Sequence, residues 1–90
     1  MQEVTIKVSE FDTVEEIHEY LVEELEFPAY YGKNLSALYD VLTDLSEDVR
    51  IIMDLSGTAD EELLEEAEKM VEVMEDASEE NEYLEIECEE

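Results

Sequence analysis

Every stretch of this chain that alternates apolar and polar residues is separated from the next by sequence with helical periodicity. "VTIKVS" sets Val4, Ile6 and Val8 on one side, as a strand with one buried face does. "TVEE" then forms a capping box, with Thr13 capping and Glu16 reaching back. Val14, Ile17, Leu21 and Leu25 follow at steps of three and four, and Pro28 stops that helix. A tight loop bent at Gly32 leads to Asn34, a good N-cap for a second helix through about Leu45. "VRIIMDL" is a short apolar run that reads as a more fully buried strand. "TADE" reads as a second capping box, opening a long helix with Leu63, Ala67, Met70, Met74 and Ala77 along one stripe. Polar "SEENE" breaks it. "YLEIEC" closes as a last strand, with Leu84, Ile86 and Cys88 expected on its inward face.

Strands that must wait for a helix before the next strand arrives are not hairpin partners. Helical connections are crossovers, and crossovers join parallel strands. The expected fold class is α/β, a three-stranded parallel sheet packed with helices. The chain has 90 residues, and residues 1–90 are expected to form a single domain.

Charge limits the partners. Thirty acids against four Lys plus Arg give a formal net charge of −26. A field of that sign repels nucleic acid and anionic lipid and attracts basic proteins, so neither nucleic acid nor membrane is an expected partner. The same excess speaks first to solubility, whether in a salt-rich cytoplasm or a redesigned chain. No apolar stretch follows Met1 and no run approaches the length of a membrane span, so a cytoplasmic protein is expected. The one cysteine, Cys88, has no internal partner for a disulfide and reads as a small hydrophobe.

Catalytic chemistry finds no foothold. The lone His18 sits beside Ile17 and Leu21 at the edge of an apolar stripe, where it reads as a packing residue. No Ser or Cys lies in a nucleophile turn, and two glycines cannot make a phosphate loop. One Cys and one His do not make a zinc site, and no stretch has the spacing of a calcium loop. The glutamate pairs of "EELLEEAEK" are the solvated side of a helix. The chain is expected not to be an enzyme and to need no cofactor or metal.

One stretch stands apart, "PAYYGKNLSALYDVLTD" from Pro28 to Asp44. At about 100° per residue, Leu35, Leu38, Leu42 and Leu45 point toward a core. Ser36, Asp40, Thr43 and Asp44 point away, with Tyr39 on the flank. Tyr30 and Tyr31 precede them in the loop. Exposed tyrosine suits a contact site, because it gives large, rigid area, but either ring also suits covering the core. The residues therefore describe a protein-binding patch on one reading and core cover on the other.

At these residues the chain resembles the barstar family, the intracellular inhibitors of barnase-type ribonucleases. The likeness is densest from Leu25 to Thr43, in "YYG-x-NL-x-AL" followed by an aromatic residue and aspartate. The resemblance implies a barstar-like monomer that plugs a basic, extracellular-type ribonuclease with its second helix and the loop before it. It implies that Asp40 enters where the RNA phosphate lies and that Tyr30 packs on the catalytic histidine. Thr43 would be a helix-end contact, and Asp76 with Glu80 acidic contacts near the end of the long helix. Tyr31, Ser36, Tyr39 and Asp44 complete the expected partner-binding set. Ser36 stands where the family has an acid, Tyr39 and Leu45 where it has tryptophans, and Asp44 where it has glycine. A non-inhibitory module using the same helix on another basic protein is the alternative.

Overall fold

The computed structural model describes residues 2–90. Strand β1 spans Gln2–Lys7, helix α1 Val14–Leu25, α2 Leu35–Thr43, strand β2 Val49–Asp54, helix α3 Glu61–Glu80 and strand β3 Leu84–Glu89. The sheet order is β1-β2-β3 and both pairings are parallel, with Val4 opposite Ile51 and Ile51 opposite Ile86. The α/β fold is the one the alternation of periods implies.

That strand order has a consequence for the faces of the sheet. Both connections step in the same direction across it, and the strong preference for right-handed crossovers then sends all helices to one side. Burial follows this rule. Val4, Ile6, Val49, Ile51, Met53 and Leu84 are buried, while Glu3, Thr5, Lys7, Glu85, Glu87 and Glu89 alternate with them on the exposed face. In β2, no residue is fully exposed, because it has a neighbour on each side. Only its helix-facing half is buried, however, and Arg50, Ile52 and Asp54 are intermediate. The core itself lies between sheet and helices, where Ile6, Ile17, Leu21, Leu38, Leu42, Ile51, Met53, Met70 and Met74 have no exposure.

Local signals place the helices, with one correction. Thr13 caps α1 in the expected box, its Oγ1 accepting from Glu16 N at 3.3 Å while Glu16 Oε1 accepts from Thr13 N. Asn34 Oδ1 accepts from Ala37 N at 2.8 Å and starts α2. The box expected in "TADE" is not what opens α3. Asp60 is its N-cap, accepting from Glu62 N and Leu63 N, while Thr58 Oγ1 donates to Leu55 O. A carboxylate two residues closer to the first free N–H groups, and charged, is the better acceptor.

Cys88 also departs from expectation. Its register partner Met53 is buried, so alternation assigns the right face, yet Cys88 is exposed. It lies near the end of an edge strand, with no strand beyond β3 among the described residues. Partial desolvation, then Glu90, Glu75 and Glu68, push its thiol pKa up, which disfavours the reactive thiolate. Alternation names a face; it does not say that anything lies over it.

Candidate docking surface

The loop from Glu26 to Asn34 sends its two adjacent tyrosines in opposite directions. Tyr31 turns in. Its ring centroid lies 5.0 Å from that of the buried Phe27, and its hydroxyl is 2.6 Å from His18 Nδ1. Burial pushes the Tyr31 phenol far above its ordinary range, so it stays protonated. His18 is itself buried on α1. Desolvation, followed by the charge of Lys33 and opposed by Glu15, holds its pKa below the ordinary 6.5. The bond between phenol and ring pins the loop to α1. Tyr30, freed by its neighbour's anchoring, is 88% exposed. The left-handed residues in this loop are Glu26 (φ 54°) and Lys33 (φ 53°) rather than Gly32. The glycine is needed for space, since a Cβ there would lie 3.0 Å from Asn34 Nδ2 and crowd the cap of α2.

Helix α2 is held at both ends. Asn34 caps the first turn. At the other end Asn81, buried at the close of α3, donates to Leu42 O at 2.9 Å and Leu45 O at 3.0 Å. Its Oδ1 accepts from Tyr83 N at 3.0 Å. One side chain thus holds a carbonyl in the last turn of α2 and another just beyond it, and it ties this end of α2 to the start of β3. In the sequence Asn81 is only one polar residue of "SEENE"; nothing local reveals that its partners lie in α2.

Between those anchors α2 buries Leu38 and Leu42 and presents its opposite side. Asp40 is exposed, and no ion pair involves it among the described residues, where the pairs are Lys33–Glu19, Arg50–Glu3 and Arg50–Glu87. Its carboxylate stands between two hollows. One, about 210 Å³, is lined by Pro28, Tyr30, Tyr31, Gly32, Ala37, Val41 and Asp44 as well as Asp40. The other, about 290 Å³, is lined by Leu35, Ser36, Tyr39 and Val73 as well as Asp40.

The remaining expected residues divide by role. Ser36 and Asp44 are exposed, and Tyr39 is half-buried against the core. The Thr43 hydroxyl is committed to its own helix, donating to Tyr39 O and Asp40 O at 3.0 Å. Asp76 and Glu80 are exposed on α3, on the helix flank that also carries Val73. Val73 was not expected here. Its signal in the sequence is an apolar residue standing beside, rather than on, the stripe of Met70, Met74 and Ala77. Among the described residues no group of His, Cys, Asp and Glu is placed to hold a metal ion, and no helix is long and apolar enough to cross a membrane.

A two-layer α/β fold thus carries a doubly anchored helix, with an exposed ring beside it and a carboxylate that is unpaired among the described residues. The chain matches the family described as barstar, the barnase inhibitor, over residues 1–89, and it belongs to that family. It is also 44% identical over 43 residues to a Bacillus subtilis protein named "Putative ribonuclease inhibitor YrdF". That match takes in 48% of this chain and 47% of the relative, so the likeness spans about half of each.

Proposed function

We propose that this protein inhibits a barnase-like ribonuclease by covering its active site with α2 and the preceding loop. Family membership supports an inhibitor of this class, and the observation that carries the mechanism is Asp40. A carboxylate stands in for one phosphate charge and accepts paired hydrogen bonds from arginine. A cation within this protein beside Asp40 would already be spending that capacity, and none is there among the described residues. The hollows on either side leave room for the enzyme's own side chains to close around it and exclude water, which is where a single charge counts most. Tyr30 is free to lay its ring on the partner, while Tyr31, Ser36, Tyr39, Thr43 and Asp44 shape the face around it and Asp76 with Glu80 extend it. The acidic field of the whole chain draws in a basic enzyme; the local face decides whether it stays.

The chain acts here as a binding protein, in the cytoplasm and as a monomer, on an enzyme made for export. The test is RNA cleavage by barnase-type ribonucleases titrated with the wild-type chain and with Asp40→Ala. Inhibition by the wild type, weakened at least about 30-fold in the variant, supports the mechanism. A complex that forms and leaves cleavage intact would point to the non-inhibitory module instead.

A further inference from the structure

The face that carries Asp40 is not acidic throughout. On α3, Glu66, Lys69, Val73, Asp76 and Glu80 succeed one another at steps of three and four and share one flank. Val73 lines the hollow beside Asp40. Toward the start of the helix the same flank reaches a separate hollow of about 290 Å³, where Glu66 and Lys69 meet Lys33, Asn34, Leu35 and His18. Leu35 lines both hollows, so the two adjoin along α2. Two of the four Lys and Arg residues in the chain therefore converge, with its one histidine, on one corner of this face.

The donors at that corner are available. Lys69 is exposed and has no ion pair among the described residues. Lys33 has only Glu19, at 3.4 Å with both side chains substantially exposed, a pairing that holds it weakly. In His18, Nδ1 is taken by the bond to Tyr31. Nε2 has no hydrogen-bond partner among the described residues, and no sealed side-chain nitrogen or oxygen among them is unpartnered, so Nε2 opens onto the hollow that His18 lines. Glu66 is the acid in the lining, and Glu19 lies beyond it, 3.4 Å from Lys33. The lining thus offers two ammonium groups and an open imidazole nitrogen against one carboxylate.

We propose that this corner is a subsite of the docking face that receives a carboxylate side chain of the partner ribonuclease. The inference rests on the reading of the face given above. A basic enzyme drawn in by a net charge of −26 would meet two like charges at Lys33 and Lys69 unless it set an acid against them. A free small anion is opposed by the chain's own field, whereas a carboxylate carried on a cationic protein arrives with the complex. Charges of opposite sign at Asp40 and at this corner also fix the rotation of the partner about α2, which a single buried charge does not.

The sign of a mutational effect decides the matter. Lys69→Met and Lys33→Met, alone and together, are compared with Asp40→Ala for binding kinetics to a barnase-type ribonuclease. If the lysines were spectators, removing positive charge would leave binding unchanged, or tighten it through faster association. The subsite predicts the opposite, a double variant that binds about 10-fold more weakly, mainly through faster dissociation. An Asp→Asn or Glu→Gln change at one acid of the ribonuclease should then abolish the effect of Lys69→Met. Unchanged or tighter binding in the double variant overturns the subsite, provided Asp40→Ala still weakens the complex. Loss of any Asp40 effect overturns the docking face itself, and the subsite with it. Far-ultraviolet circular dichroism of each variant confirms that it is folded.

Discussion

On the open face of the sheet, Arg50 stands between Glu3 of β1 and Glu87 of β3, at 3.4 and 2.9 Å. Glu87 chiefly, with help from Glu3 and Glu85, pushes the guanidinium pKa further up. On the exposed side of α2, Asp40 faces solvent as well and meets no such neighbour among the described residues. Both regions are charged surface, but one is internally satisfied and the other is not. The ladder across the strands has used its cation, in a setting where water already screens every member. The helix keeps its carboxylate uncommitted, between hollows that only another molecule can close. What marks Asp40 as the proposed contact, and Arg50 not, is the absence of an internal partner among the described residues together with a shape that allows desolvation.

That contrast breaks if the two charges behave alike when removed. Asp40→Ala should raise the dissociation constant for the target ribonuclease by at least about 30-fold while leaving the unfolding midpoint unchanged. The next largest effect sharpens the claim that α2 is a rigid mount. Asn81→Ala removes the donor to the Leu42 and Leu45 carbonyls, and chemical denaturation should show a loss of about 2 kcal/mol, since buried polar groups are left unmatched. Weaker inhibition should accompany it, as the α2 end loosens.

A smaller effect comes from the loop anchor. Tyr31→Phe keeps the ring and deletes the bond to His18, and should cost about 1 kcal/mol of stability. The imidazole adds a dependence on pH. Its folded pKa lies below the ordinary 6.5, so the unfolded chain takes the proton first and stability rises with pH across that window. The contribution is complete above 6.5 and is lost as pH falls from there through the folded value. Thermal melts between pH 7.5 and 5 should show the decline in the wild type and a flatter profile in His18→Gln. Least affected of all should be Arg50→Met, whose binding and melting temperature should match the wild type, because exposed ion pairs contribute little. An Arg50 variant that impaired inhibition as Asp40→Ala does would end the comparison.

Much of this molecule was readable from local pattern. Thr13 with Glu16, and Asn34 ahead of Leu35, announce helix starts because a cap and the groups it satisfies lie within a few residues of each other. The alternation in β1 and the spacing of Leu35, Leu38 and Leu42 report which side chains face inward for the same reason. Asp40 could be placed on the outer side of α2 from its spacing alone. Where the sequence misled, the deciding neighbour was distant or absent. Cys88 has the inward phase but is exposed near the end of an edge strand, and the start of α3 turned on which of two oxygens, in Thr58 or Asp60, was nearer the free N–H groups.

The sequence by itself determined the order of elements, the parallel pairing and the outward face of α2, because periodicity and capping act between residues close along the chain. Only the tertiary structure decided the strand order, the bare side of the sheet, the split between Tyr30 and Tyr31, the grip of Asn81 on α2 and the meeting of Lys33, Lys69 and His18. Each of those depends on which remote groups fill or leave the space beside a side chain. Burial and unpaired charge are properties of that space.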